Sequence, residues 1–407
     1  MGYKIFCFIV FIGFMGACTH KTNEYIFDEV RSVKIDESEI VLTRFPAEMK
    51  KINDSVVGAI NSAQSVSLYN IYSGKNIANF NLKKTNFDSL IQNTFQTKYA
   101  DSKTYTYSNG FELNGENYQL TAFDYSNNRF WIHASVIVEV HHLKEDAKTL
   151  PKHKNNEKII ELQKQYDSIN IIEMGYLNFL FETDNNFVVK AIHPLYGEEA
   201  LKANNYFPYY NKGFFIFNNC IYTPIGKMDE SFNRLENKLN VSADNYCLAK
   251  INLLDTDKIA YKLHLSNINF SDYTLRDYIE ARFRFKEYKS NFLFSNGKEI
   301  SEIENEKKML DKKILSANEW IADFCFLENE SLALITYEIV KMQTVDPAKP
   351  VFPKYKIKII DPISSLVLKE QSLDIKSSTV TLTENKVIYL DRDHQNYYFK
   401  QINYHEK

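Results

Sequence analysis

The chain has 407 residues, with 49 Lys and Arg against 52 Asp and Glu, for a formal net charge of −3. That length can bury a large core, the 25% charged fraction excludes global disorder, and the charge balance gives no electrostatic drive toward nucleic acid. Only 12 glycines occur and neither G-x-G-x-x-G nor G-x-x-x-x-G-K-[ST] can be read, which argues against folds that cradle phosphate on glycine backbone.

At the N-terminus a single charge, Lys4, precedes an apolar run over residues 5–15. The run is too short to span ~30 Å of hydrocarbon as a helix and fits the core of an export signal. It ends in Met15-Gly16-Ala17-Cys18, which resembles a bacterial lipobox. The resemblance implies transfer of a diacylglyceryl group to the Cys18 thiol, cleavage before Cys18 and acylation of the new amino group. The expected organisation is a signal peptide at 1–17, a lipidated tether at 18–28 and one domain over 29–407. Localisation in the cell envelope, lipid-anchored and at the outer membrane, follows as an expectation. Cys220, Cys247 and Cys325 then remain in an oxidising compartment. Buried free thiols are the favoured reading, with a Cys220–Cys247 bridge as the alternative.

Short runs rich in aromatic and β-branched residues follow, many of them alternating as half-buried strands require. They predict strands at 65–69, 118–123, 129–134, 176–181, 214–217, 261–265, 282–285, 332–337, 354–360 and 387–390. Helical periodicity shows only in charged pieces, at 156–166 and 301–310. With so little glycine and proline, Asn is expected at many turns, because it tolerates the left-handed region.

A weak repeat underlies the strands. The segments centred on Asn70, Asn252 and Asp361 align without gaps: an apolar strand end, an Asx residue, a polar turn and an apolar residue seven positions on. Looser copies centre on Asp124, Glu182 and Asn296. Repeats of this length with several strands each predict an all-β fold, a β-propeller of six or seven four-stranded blades. Six hairpins and one clasped blade favour seven, and six follow if the copy at Asn296 is spurious. The strand expected within 33–42 has no blade of its own. It is assigned to the outer edge of the last blade, closing the ring and protecting its edge.

The lipobox, the segment 29–42 and Ile52-Asn-Asp54-Ser-Val-Val-Gly58, leading into Leu68-Tyr-Asn-Ile-Tyr-Ser-Gly74-Lys75, together resemble lipoproteins of Bacteroidota described as six-bladed β-propellers of unknown function. The likeness is good over about the first 85 residues. It implies a fold and an envelope location and transfers no catalytic residues.

Several clusters merit weighing as sites. Glu139, His141 and His142, with His133 upstream, hold the residue types of a zinc site, yet no third ligand is identifiable, and they read as solvated strand-end residues. Arg282, Arg284 and Lys286 alternate with Phe283 and Phe285. The cations either face solvent or line the central channel opposite an anionic group. The aromatic stretch Tyr206 to Phe217 reads as packing between blades. Glu319, Trp320 and Asp323 form a polar–aromatic group. Arg282, Arg284, Glu319 and Trp320 are the candidate ligand-binding residues, and no catalytic residue, metal or cofactor is assigned. The favoured function is a membrane-anchored module binding a ligand, an envelope protein or a glycan. The alternative is a propeller-type glycan hydrolase or lyase.

Overall fold

Strands arise where apolar and β-branched residues cluster, and most of the described residues lie in them. The computed structural model describes residues 25–35, 48–62, 65–85, 88–98, 104–105, 118–143, 170–195, 206–208, 210, 213–227, 246–253, 255–264, 283–303, 305, 307–310, 312–316, 318–338, 353–377, 379–393 and 396–407. The expected helix at 156–166 lies outside them, as do Cys18 and Arg282.

The first two strands, β1 (Tyr25–Phe27) and β2 (Arg31–Lys34), belong to the end of the ring. Blade I is β3 (Met49–Asn53), β4 (Val56–Ser62), β5 (Ser65–Asn70) and β6 (Asn76–Asn81). Helix α1 (Asp88–Lys98) leads to blade II. There β7 (Thr104–Tyr105) and β8 (Tyr118–Ser126) share the inner edge of β9 (Arg129–Leu143), followed by β10 (Asn170–Thr183) and β11 (Val189–Leu195). In blade III, β12 (Tyr206–Pro208) and β13 (Phe215–Phe217) share the edge of β14 (Cys220–Lys227), then β15 (Tyr246–Asn252) and β16 (Asp255–His264). Blade IV is β17 (Arg284–Tyr288), β18 (Asn291–Ser295), β19 (Ile300–Glu302) and β20 (Lys307–Leu310). Blade V is β21 (Glu319–Phe326), β22 (Leu332–Glu338), β23 (Lys354–Asp361) and β24 (Leu366–Leu373). Blade VI is β25 (Val380–Leu382), β26 (Lys386–Asp393) and β27 (Asn396–Glu406), and its outer strand comes from β1 and β2. The fold is a six-bladed β-propeller.

An N-terminal strand closes the ring as the sequence predicts, but from upstream of the expected 33–42, of which 36–42 lie outside the described residues. Tyr25 pairs with Glu406 and Phe27 with Tyr404, while Arg31 pairs with Gln401 and Lys34 with Tyr398. The pairing therefore starts inside the segment 18–28 expected to be tether.

Each seam between neighbouring blades has its own apolar cluster, six in all. The closing seam between blades VI and I is built like the others, with Ile35, Met49, Tyr69, Ile388 and Phe399. Side chains staple the seams across backbone groups. Gln401 Nε2 donates to the Ile71 carbonyl at 2.7 Å, joining blade VI to blade I.

Asn serves the turns as expected. Asn127 and Asn128 both have positive φ between β8 and β9, and Asn218 and Asn219 do so between β13 and β14. Two successive left-handed residues suit a tight hairpin between twisted strands. The Asx residues of the repeat cap their own turns. Asn70 Oδ1 accepts from the N–H groups of Tyr72 and Ser73, and Asp361 Oδ1 from that of Ile363.

One expectation needs correction, and one alternative falls away. Residues 301–310 carry charge at helical spacing, yet they form the end of β19, a turn and β20. Ile300, Ile303 and Leu310 are buried in seam clusters, so packing overrides the local pattern. A disulfide between Cys220 and Cys247 is not formed. Cys220 lies opposite Asn252 and Cys247 opposite Ile225, at far ends of the β14–β15 ladder, and Cys220 is a free thiol.

Candidate functional site

A propeller's innermost strands converge on its axis, and here they enclose a cavity of ≈ 440 Å³. All six blades contribute: Met49 to Ile52 from β3, Asp124 to Asn128 from β8 and its turn, Phe215 from β13, Arg284 to Glu287 from β17, Asp323 from β21 and Thr381 from β25.

The charges are arranged with a rough two-fold repeat. Lys50 of blade I lies 3.5 Å from Asp124 of blade II. Three blades on, Lys286 of blade IV lies 3.1 Å from Asp323 of blade V. Each aspartate also accepts from the backbone of the next blade's inner strand. Asp124 takes the Ile216 N–H at 3.1 Å, and Asp323 takes the Leu382 N–H at 2.8 Å. A carboxylate on each of these strands thus fixes blade-to-blade register as well as lining the channel.

The two halves differ in how fully their carboxylates are satisfied. Asp323 also accepts from the Thr381 hydroxyl at 2.9 Å and its own strand's Phe324 N–H at 2.9 Å. Desolvation opposes its ionisation, but Lys286, Arg284 and these donors outweigh it and hold its pKa below the ordinary value. At Asp124 desolvation wins, and its pKa is raised despite Lys50 and the Ile216 N–H. Lys50 is shared, since it lies 3.4 Å from Glu48 and sits over the rings of Phe123 and Phe214. Beside Asp124, the buried Ser126 hydroxyl has no hydrogen-bond partner among the described residues. Glu287 stands exposed at the channel, its pKa raised by desolvation and by the charge of Asp124.

The structure separates the predicted site residues. Arg284 lines the cavity, its Nε donating to the Ala322 carbonyl at 3.0 Å. Glu319 and Trp320 do not join it. They are 1% and 2% exposed, at the start of β21. Glu319 is held by Lys358 at 2.7 Å, by the Thr336 hydroxyl and by the Ser316 N–H, and Lys298 sits over the Trp320 ring. This is an internal ion pair of blade V with a buried aromatic beside it, and neither residue lines the channel cavity. Arg282 lies outside the described residues, as do the side chains of Glu139, His141 and His142. His133 is buried against Tyr210, and burial pushes its pKa down to about 3. No group of metal-binding geometry occurs among the described residues. Tyr210, Phe214 and Phe215 are buried in the seams flanking blade III.

Sequence reasoning assigned Lys50, Asp124 and Ser126 no place in a site. One signal was present: Phe123-Asp124-Tyr125 and Ala322-Asp323-Phe324 each place an acidic residue between apolar ones in a strand. A carboxylate there must find a partner, because an unpaired buried charge is costly.

No family model matches the chain, and no curated protein matches it. Solved structures do match. A member of the DUF4221 family from Bacteroides vulgatus aligns over 95% of this chain and 100% of its own, at 8% identity and a TM-score of 0.46. A luciferin-regenerating enzyme aligns over 92% and 95%, at 9% identity and a TM-score of 0.40. The WD40 β-propeller domain of Doa1 aligns over 92% and 96%, at 7% identity and a TM-score of 0.36. The blade count rests on the sheets themselves.

Proposed function

We propose that this protein is a lipid-anchored envelope module whose central channel binds a small polar ligand carrying both donor and acceptor groups. The lipobox ending at Cys18 supports the anchor. The observation that carries the binding site is the under-satisfied half of the channel: Asp124 with a raised pKa, a shared Lys50 and an unpartnered buried Ser126 hydroxyl beside one cavity. Buried polar groups lacking protein partners are the places where a ligand's groups gain most. Cations and carboxylates line the same cavity, which suits a zwitterionic or hydroxyl-rich molecule better than a bare anion. The hydrolase or lyase reading draws on the divergence of the two aspartates, since an acid and an ionised partner are what such chemistry uses. Against it, Asp323 already accepts from a lysine, a hydroxyl and two backbone N–H groups, which leaves little capacity for a substrate.

The test is a thermal-shift screen of sugars, amino acids and peptidoglycan fragments on the wild type and on the Lys50→Met, Asp124→Asn pair. The pair variant keeps an acceptor for the Ile216 N–H and removes both charges of the Lys50–Asp124 pair, while Glu48 loses Lys50 and keeps the Phe123 N–H. A ligand that stabilises the wild type is expected to lose its effect on the variant while the variant's own melting stays close to that of the wild type. Undiminished binding by the variant would exclude this half of the channel.

A further inference from the structure

In an antiparallel four-stranded blade, the turn between the first two strands and the turn between the last two lie at the same end. The Asn127–Asn128 turn places one mouth of the cavity at that end of the ring. Tyr25 is there too, because it pairs with Glu406 at the end of β27 and its hydroxyl accepts from Asn329 in the first turn of blade V.

The large apolar side chains exposed among the described residues gather toward this end. Tyr72 lies in the last turn of blade I with Ile77 just past it, Val188 lies in that of blade II, and Ile363 lies in that of blade V, with Leu366 and Val367 opening β24. Ile363 is 93% exposed at its tip. Ile26 and Val30 add to the set from the clasp on blade VI. Blades V, VI, I and II are consecutive around the ring, so the apolar tips form an arc centred on the point where the chain enters. Among the described residues of the corresponding turns of blades III and IV, Leu253 and Ile303 are buried. Scattered exposed apolar residues need no explanation, but an arc around one point does. Tyr72 carries two cations, with Lys386 over its ring at 4.7 Å and Arg31 at 5.4 Å. An amphipathic ring with basic neighbours is the pattern of a membrane–water interface.

Residues 19–24 are all that separates Cys18 from Tyr25, and the seven Cα-to-Cα steps between them reach at most ~25 Å. An anchor that short keeps this end of the propeller near the leaflet that holds it. We infer that the arc rests on the bilayer carrying the Cys18 acyl chains, which rests on the anchor proposed above. The partner is a phospholipid surface containing anionic headgroups. With blades V, VI, I and II against lipid, blades III and IV lift away, and the channel mouth opens obliquely toward the membrane plane.

The experiment reconstitutes the acylated protein in vesicles of phosphatidylethanolamine and phosphatidylglycerol, the latter carrying a photoactivatable group, and maps lipid adducts to peptides. Adducts are expected in 71–77, 184–189 and 361–367 and not in the last turns of blades III and IV. Replacing exposed Ile363→Asp with Leu366→Asp should lower adducts in 361–367 by ~5-fold or more without changing the melting temperature. Adducts confined to 18–24, spread evenly over all six blades, or absent from the three turns would each overturn the inference. The anchor is read separately, from palmitate incorporation lost on Cys18→Ala. A chain without palmitate that still gives adducts in the three turns would keep the membrane-facing arc and discard the anchor.

Discussion

Glu319 shows how a residue that resembles a site becomes scaffold. Its carboxylate is buried, yet three donors meet it, among them Lys358 and Thr336 from the two neighbouring strands of the blade. Lys358 is itself buried, reaching the Ile314 carbonyl at 3.3 Å and Glu370 at 3.5 Å. Burial opposes ionisation of Glu319, but Lys358, Thr336 and Ser316 prevail and its pKa is lowered. A carboxylate with a lowered folded-state pKa stabilises the fold above the ordinary carboxylate range and loses that contribution as pH falls through the lowered value. Removing one partner leaves a buried charge alone, so Lys358→Met is expected to cost ~3–5 kcal/mol in a denaturant titration at neutral pH. Adding Glu319→Gln should restore most of that loss and flatten the acid limb of the stability curve, because no charge is then stranded. A double variant as unstable as the single one would mean that the pair itself, and not the stranding of Glu319, carries the stability. The sequence displays Glu319 and Trp320 as adjacent polar and aromatic residues, and nothing local says that the balancing lysine lies on another strand of the same blade. Arg284, whose alternation with phenylalanines is local, was legible as a channel candidate for the opposite reason.

At the scale of elements, strands were readable wherever apolar and β-branched residues cluster, as β5, β9, β22 and β23 do. Helix α1 was not. Its Asp88, Ser89, Asn93, Thr94 and Thr97 are weak helix formers, and what holds it is the burial of Ile91 and Phe95 in the seam between blades I and II. Hairpins were legible through their Asx residues, but their place within a blade was not. The turn of blade I makes a further demand that only the assembled structure displays. Gly74 has φ +70°, and a Cβ there would sit 1.9 Å from the carbonyl oxygen of Lys34 in β2. That close approach seats the N-terminal clasp on the last hairpin of blade I. Gly74→Ala is therefore expected to destabilise by ~2 kcal/mol or more, combining left-handed strain with a backbone clash that no side chain can relieve. The comparison is Gly213→Ala, at φ +127° but with its nearest atom 3.1 Å away, which should cost less. Chemical denaturation of the two variants side by side reads the difference.

Across the whole molecule, the repeat in the sequence reported a propeller of six or seven blades, and the structure settles on six for a physical reason. The copies at Asp124 and Glu182 both lie in blade II, one at the end of β8 and one in β10 near its turn to β11. Residues 144–169 separate β9 from β10 and stretch one blade to the length of two. Six blades remain, and the ring must still be shut at one seam without a covalent link. The clasp does this from both sides. Tyr25 is buried in the cluster between blades V and VI, and Ile35 in the cluster between VI and I. Between them, the Asp28 N–H donates to Asn403 and the Ile35 N–H to Tyr397, so the ladder with β27 runs nearly its whole length. Deleting residues 25–35 would uncover β27, remove two fully buried side chains worth ~1.5–3 kcal/mol each and forfeit ladder bonds worth ~1 kcal/mol apiece. Those losses together approach a typical stability of ~5–15 kcal/mol. Because the loss falls on two seams of a closed ring, it should be shared by every blade. Calorimetry of the deletion variant is expected to show one transition at a sharply lower temperature, and exchange of amides on the far side, in β14 and β18, should quicken with it. An unchanged melting temperature, or faster exchange confined to β26 and β27, would mean that the other four seams hold the ring without the clasp.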